Sequence, residues 1–246
     1  MHIGNLFNNI PNQFKNHKFR NLCFNSKNCK QGDIFFSIKG TKKNGNQFIL
    51  EAIKNGAKTI VSDQNYQGIK DNILYLKNKN IRKLLSNASS KFYSKKPKNI
   101  IGVTGTNGKS SIANFYFQIL SQNKIKVASI GTLGIKTIFS NKKIENTTLD
   151  PINLHKNLQI LKEKKIENVI LEASSHGLKQ SRLDSIKFNT AIFTNLTRDH
   201  LDYHKTYQDY LNSKLILFKN LLKKKSKIIF DNEKPISKIL IKICLS

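Results

Sequence analysis

The sequence predicts an α/β protein built from a small α/β domain over residues 1–96 and a P-loop-type, parallel-sheet domain over residues 97–246. Three observations predict it. Short apolar runs of strand type alternate with helix-like segments, most regularly after residue 97. One such run, Ile100, Ile101 and Val103, leads through the glycine-rich turn Gly105-Thr106-Asn107-Gly108-Lys109-Ser110 into an amphipathic helix pattern. The stretch Ser94-Lys95-Lys96-Pro97-Lys98 is polar and broken by proline, which marks a boundary.

In the first segment Ile34–Ile38 reads as a strand. Phe48 to Gly56 reads as a helix, with apolar Phe48, Ile49, Ala52 and Ile53 on one face and a glycine stop. Thr59–Val61 and Ile73–Leu76 read as short strands, and Ile81 to Tyr93 as a second helix. In the second segment strands fall at 100–104, 126–130, 168–172, 189–194 and 227–230. Helices fall at 109–122, 151–165 and 206–224, and the tail after Asp231 is helix-like. That alternation predicts a parallel sheet with helices on both faces, whose ligands sit at the carboxyl ends of the strands.

Composition limits the function classes. The net charge of +28 suggests nucleic acid or an anionic membrane when taken alone. All but four of the 43 basic residues are Lys, however, and they are spread along the chain. With abundant Asn and Ile and no Trp, this is the profile of AT-rich codons, so no nucleic-acid or membrane partner is expected. No apolar run approaches the ~18 residues of a membrane span. The N-terminus lacks a basic segment followed by an apolar core, so the chain is expected in the cytoplasm. Cys23, Cys29 and Cys244 form no zinc spacing and no even-numbered framework, which fits free thiols.

The chemistry concentrates after the predicted strands. Glycines at 105 and 108 let backbone N–H groups approach phosphate oxygens, and the following helix start adds partial positive charge. Lys109 would reach the β/γ-phosphates and Ser110 would offer its hydroxyl to Mg²⁺. The spacing is a shortened form of the usual P-loop, with Val103 where the first glycine would stand. Glu172 ends an apolar strand downstream of this loop, a position from which a carboxylate ligates Mg²⁺ or caps the next turn. Ser174 and Ser175 could cap a helix. Asn195 to His204 packs six ionisable residues, with Asn195 and Thr197, into ten positions after another strand. His200 and His204, four apart, could share a helical face as metal ligands; His200 is the better candidate and His204 reads as structural. Asn146, Thr147 and Thr148 fit either a plain turn or contacts to a sugar, peptide or phosphate.

In this order, GVTGTNGKSS, ENTT, LEASSHGLKQSRL, FTNLTRDHLDYH and YLNSKLILF resemble the Mur ligases, and within them the branch that builds the UDP-linked muramoyl tripeptide. The related folylpolyglutamate synthases share the shortened loop but lack the SSHGL and DHLDYH strings, and stand as the alternative enzyme class. Phe24-Asn25-Ser26-Lys27 and Lys30-Gln31-Gly32-Asp33-Ile34-Phe35-Phe36 resemble the family's uridine-side stretch, with Asn25 in place of Asp and Lys27 in place of Arg.

The resemblance implies a uridine-binding first domain, an ATPase second domain, and an ATP-dependent amide ligase of peptidoglycan precursor synthesis. It would join a diamino acid, meso-diaminopimelate or L-lysine, to UDP-MurNAc-L-Ala-D-Glu, working as a monomer. Gly105, Thr106, Asn107, Gly108, Lys109, Ser110 and Ser111 would hold ATP. Ser110, Glu172, His200 and a carbamylated Lys214 would hold Mg²⁺, with Lys109, Lys214 and His200 serving catalysis. Asn146, Thr147, Thr148, Ser174, Gln180 and Arg182 would hold the UDP-linked substrate, and Phe24, Ser26, Thr41, Lys42 and Lys43 its uridine side. The family pattern continues past the equivalent of Ser246 into a third domain, so the chain alone is expected to be inactive or to act by binding only.

Overall fold

The computed structural model describes residues 1–40 and 43–245. Thr41 and Lys42, expected on the uridine side, lie outside the described residues. The chain separates into two units, Met1–Tyr93 and Ser94–Ser246.

In the first unit five strands, β1 (Leu22–Cys23), β2 (Ile34–Phe36), β3 (Thr59–Ser62), β4 (Gly68–Lys70) and β5 (Ile73–Lys77), lie in the order β1-β2-β3-β5-β4. All pairings are parallel except β4 with β5. The helices are α1 (Ile49–Lys54), entered through a 3-10 turn at Gly45–Phe48, and α2 (Ile81–Phe92). Asn80 caps α2 by accepting from Lys83 N. Strands β1 and β4 were not expected: they have two and three residues, too few to show a periodicity. Cys23 and Cys29 are buried, Cys244 is exposed, and all three are free.

In the second unit seven strands, β6 (Asn99–Thr104), β7 (Val127–Gly131), β8 (Gly134–Thr137), β9 (Ser140–Lys142), β10 (Asn168–Glu172), β11 (Phe188–Phe193) and β12 (Leu222–Phe230), form one sheet. Their order is β12-β11-β6-β10-β7-β8-β9. The helices are α3 (Lys109–Gln122), α4 (Pro151–Glu163), α5 (Ser175–Lys179), α6 (Leu201–His204), α7 (Tyr207–Asn220) and α8 (Ser237–Cys244). Alternate residues of the central strands face opposite ways. Ile101, Val103, Ile170 and Ile192 pack with Ala113 of α3. Their neighbours Ile100, Val169, Leu171, Ala191 and Phe193 pack with Leu154 and Leu158 of α4 and Leu215 and Phe218 of α7. Helices therefore cover both faces, as expected.

Two expectations need correction. The sheet is not wholly parallel, because β7, β8 and β9 form an antiparallel meander. Its tight turn lacks an Asn-Gly or Asp-Gly signal; the Thr137 hydroxyl closes it by accepting from Phe139 N and Ser140 N at 3.2 and 3.0 Å. The helix expected over 206–224 ends at Asn220, and the strand expected over 227–230 begins at Leu222. The lysine run 223–225 has good helix propensity, but the pairing of Leu222 and of Lys227–Phe230 with β11 on either side overrides it. The register slips between Phe188 and Thr190, with Lys225 at φ +60°.

Candidate functional site

Strands β11, β6 and β10 are neighbours, and each ends in a loop at the same carboxyl edge of the sheet. The loop after β6 turns sharply at Gly105, φ +146°, where a Cβ would stand 1.8 Å from Thr194 Oγ1. Only glycine permits that approach. The segment after β11 then fastens the loop. Thr106 N donates to Asn195 O at 3.0 Å and Asn107 N to Asn195 Oδ1 at 2.9 Å. Thr194 Oγ1 donates to Asn107 O at 2.6 Å, and Thr197 N to Thr106 Oγ1 at 3.0 Å. Val103, at the place of the missing P-loop glycine, lies inside β6 and is fully buried beneath α3.

Two ammonium groups meet under this loop. Lys109 Nζ donates to Gly105 O at 3.0 Å and Thr106 O at 2.7 Å. Lys214 Nζ donates to the same Gly105 O at 2.6 Å and lies 4.2 Å from the Tyr210 ring centroid. Burial lowers the pKa of Lys109, an effect partly opposed by Glu172 and Asp199. Burial, and then the charge of Lys109, lowers Lys214 to about 7. Lys214 is 1% exposed, so it is not a solvated lysine on the helix surface.

Glu172 closes the other side. Ser110 Oγ donates to its Oε2 at 2.8 Å, Thr132 N to Oε1 at 2.9 Å and Thr132 Oγ1 to Oε2 at 3.2 Å. Gly131 makes room for the carboxylate, since a Cβ there would stand 2.1 Å from Glu172 Oε1. The resulting cleft, about 260 Å³, is lined by Thr106 to Ser111, Thr132, Thr147, Glu172, Ser174, Ser175, His200, Tyr210 and Lys214. Thr132 and Tyr210 were missed as site residues. Thr132 directly follows strand β7, and that position was the available signal.

Four candidates sit beside the cleft rather than on its wall, or form its support. Thr148 Oγ1 donates to Glu172 O at 2.8 Å and accepts from Ser174 N at 3.0 Å. Arg182 donates through Nη1 to Thr148 O at 2.6 Å and through Nε and Nη2 to Gln180 Oε1. Gln180 Nε2 in turn donates to Tyr203 OH at 3.1 Å. Asn146 does not line the cleft. His200 caps α6 in a left-handed conformation, φ +53°, and its ring lies 4.9 Å from that of His176. His204 is fully buried, with Ser175 and Ser213 at its ring nitrogens, so the two histidines do not present a shared ligand face. Burial, reinforced by His176 and Lys179, lowers its pKa to about 4.

In the first unit, Phe24 is exposed and Ser26 is buried with its Oγ donating to Glu51 Oε2 at 2.6 Å. Lys43 Nζ lies 5.7 Å from the Phe48 ring centroid. Among the described residues no cluster of three His, Cys, Asp or Glu side chains could hold a metal, and no helix is long and apolar enough to cross a membrane.

Both units resemble known proteins. The chain is 42% identical over 218 residues to a UDP-N-acetylmuramoyl-L-alanyl-D-glutamate--2,6-diaminopimelate ligase of Rickettsia montanensis, covering 87% of this chain and 45% of that protein. A solved structure of a ligase of the same name superposes with a TM-score of 0.85 at 27% identity, over 99% of this chain and 50% of that one. A MurF ligase from Thermotoga maritima in complex with ADP shares the fold, with a TM-score of 0.60 at 21% identity over 91% of this chain and 48% of that one. The chain thus spans about half the length of the relatives it matches. The profile of the Mur ligase family catalytic domain matches residues 18–93, and that of the Mur ligase middle domain matches residues 103–244. With one profile over each unit, and the second alone covering more than half of the sequence, the chain belongs to the Mur ligase family.

Proposed function

We propose that the chain carries the ATP-binding and UDP-substrate-binding parts of an ATP-dependent ligase that joins 2,6-diaminopimelate to UDP-MurNAc-L-Ala-D-Glu in the cytoplasm. Residues 1–96 would bind the uridine side, through Phe24, Ser26 and Thr41 to Lys43, and residues 97–246 the ATP. The observation that carries this reading is the convergence of the Gly105–Ser111 loop, Lys109, Ser110 and Glu172 on one cleft.

The chemistry begins with a poor acyl donor. A substrate carboxylate oxygen attacks the γ-phosphorus of ATP, the bond to the ADP oxygen breaks, and an acyl phosphate forms. The amine of the incoming amino acid then attacks the acyl carbon and loses a proton as phosphate leaves. Two polyanions must approach, so fixed positive charge and N–H donors are required. Loop N–H groups and the start of α3 supply donors, and Lys109 leaves the Gly105 and Thr106 carbonyls to meet the phosphates. Thr147, Ser174, Gln180 and Arg182, with Asn146 and Thr148, would orient the UDP-linked peptide.

The cleft suits a hard cation. Its donors are the Glu172 carboxylate, the Ser110 hydroxyl and the His200 imidazole; with too few protein ligands for a closed site, it fits an ion that keeps waters and phosphate oxygens. Ser110, Glu172, His200 and carbamylated Lys214 would hold Mg²⁺. Mg²⁺ supplies charge neutralisation between the phosphates and the attacking carboxylate. Lys214, with its pKa near neutrality, has an amine fraction able to add to CO₂, forming an N–C bond and releasing a proton. The folylpolyglutamate alternative lacks support from the Ser174–Arg182 network, which uses residues of the SSHGL-x-Q-x-R string.

The test is calorimetric titration of the chain with Mg·ATP. Saturable binding is expected, weakened at least about 100-fold, or about 3 kcal/mol, in Lys109→Ala with an unchanged melting temperature. Equal binding by the variant would mean that the loop has been misread.

A further inference from the structure

His204 ends α6 and is fully buried, yet both of its ring nitrogens have partners. Nε2 lies 3.0 Å from Ser175 Oγ and Nδ1 lies 3.3 Å from Ser213 Oγ. Ser213 fixes the direction of both bonds. It donates its single hydroxyl proton to Asp209 O at 2.7 Å. Toward His204 it can therefore only accept, so Nδ1 carries the ring proton. In a neutral imidazole Nε2 is then a bare acceptor, and Ser175 must donate its hydroxyl proton to it. The rings of His176, Tyr203 and Tyr210, with centroids 5.4, 4.9 and 5.1 Å away, hold the imidazole in this orientation.

Ser175 lines the cleft, and the consequence falls there. A hydroxyl that has given its proton to His204 presents only lone pairs to the cleft. A phosphate oxygen, itself an acceptor, gains nothing from it. A water molecule bound to a cation is a strong donor and pairs with it well. The cleft lining is thereby of two kinds: loop N–H groups and Lys109 are donors that suit phosphate, while Glu172 and the lone pairs of Ser175 are acceptors that suit a hydrated cation.

We propose that His204 is a positioning residue: through the tautomer set by Ser213 it holds the Ser175 hydroxyl as an acceptor for the water shell of a divalent cation in the cleft. The proposal rests on the Mg·ATP reading above. It also ties the Ser175 hydroxyl to α7, because Ser213 lies on that helix next to Lys214, which reaches Gly105 O.

The first experiment is a long-range ¹H–¹⁵N spectrum of the histidine-labelled chain at about pH 7.5, where an unperturbed imidazole is neutral, with His204→Gln used for assignment. The expected result is an Nδ1–H tautomer for His204; an Nε2–H tautomer or a doubly protonated ring overturns the proposal. The second is Mn²⁺ affinity in the presence of ADP, read by electron paramagnetic resonance. Ser175→Ala and His204→Asn, which remove the Ser175–Nε2 bond, should weaken Mn²⁺ by about tenfold. His204→Gln, whose amide oxygen can replace Nε2 as acceptor, should stay within about threefold. Equal losses in the Asn and Gln variants, or none in Ser175→Ala, overturn it. A wild-type chain with Nδ1–H that binds no Mn²⁺ with ADP refutes the ATP reading and the cation role together. A chain that binds Mn²⁺ with ADP but shows Nε2–H refutes the role of His204 alone.

Discussion

The two units use polar side chains in opposite ways. In the second, Ser110, Glu172, Lys109 and Lys214 are partly or fully buried and converge with the exposed Thr132 on one cleft, with charges left uncancelled. In the first, Asn25 caps Lys27 N and Asp33 accepts from Lys30 N, so polar groups close turns, and Ser26 gives its hydroxyl to Glu51 of α1. Both are built on mainly parallel sheets, so fold class does not account for the difference. What separates them is where polarity collects: at the carboxyl edge of adjacent strands in the second unit, and within local turns in the first. A site that gathers like charges under a loop is costly to maintain, and such cost is usually retained for function.

The second unit's cleft is most sensitive to filling of the space beneath the loop. Gly105→Ala puts a methyl group where Thr194 Oγ1 now stands, at a φ that L-residues rarely adopt. The expected cost is about 3 kcal/mol in the second unit's unfolding transition, with loss of Mg·ATP binding. Chemical denaturation followed by near-ultraviolet circular dichroism measures the first and calorimetry the second. An unchanged stability would mean that the loop is not held as tightly as its bonds to Thr194 and Asn195 imply.

Acid comes next, and it too should separate the units. His155 of α4 is fully buried, with neither ring nitrogen hydrogen-bonded, and burial followed by the charge of Lys96 lowers its pKa from 6.5 to about 3. His17 in the first unit is also lowered by burial, but a backbone hydrogen bond with Lys58 opposes the shift. A histidine whose folded pKa lies below its unfolded value favours the folded state above the unfolded pKa. Between the two values the unfolded chain binds the extra proton, so stability falls as pH falls. From pH 6.5 to about pH 5 the second unit should lose about 2 kcal/mol through His155. Urea midpoints of His155→Leu against pH test this: the variant should show a correspondingly flatter decline, and parallel curves would exclude His155 as the source.

How much of this was legible follows from the range of each constraint. The P-loop could be read because its requirements are local: glycine at 105 and 108, a Lys-Ser pair and a helix start within a few residues. The helix over 109–122 was readable for the same reason. Thr132 was not, because its importance comes from Glu172, 40 residues away, and its place directly after β7 was the one local signal. The end of α7 at Asn220 was hidden because lysines 223 to 225 favour helix locally, and only the pairing of their flanks, Leu222 and Lys227–Phe230, with β11 draws them into the strand. The burial of Lys214 could be expected only from the family resemblance, since its spacing alone fits a solvated face.

The smallest expected effects come from matched deletions in the two units. Arg182→Ala removes three donated bonds, to Thr148 O and Gln180 Oε1, and so disorders residues beside the cleft. Affinity for UDP-MurNAc-L-Ala-D-Glu should fall by about tenfold, or about 1.4 kcal/mol, while that for ADP changes much less. Equal losses would place Arg182 in general support of the unit rather than in substrate contact. Ser26→Ala removes one bond to Glu51, and Ser26 O still accepts from Asn55. Its cost should be about 1 kcal/mol in the first unit's transition. Mg·ATP affinity should stay at the wild-type value, because Glu51 and Asn55 both belong to the first unit. Should Ser26→Ala weaken UDP binding about as much as Arg182→Ala weakens the UDP-linked peptide, the first unit's turn polarity would be as much a binding device as the second unit's cleft. The contrast between them would then be one of exposure, with the Ser26 turn binding through groups that also hold its own backbone.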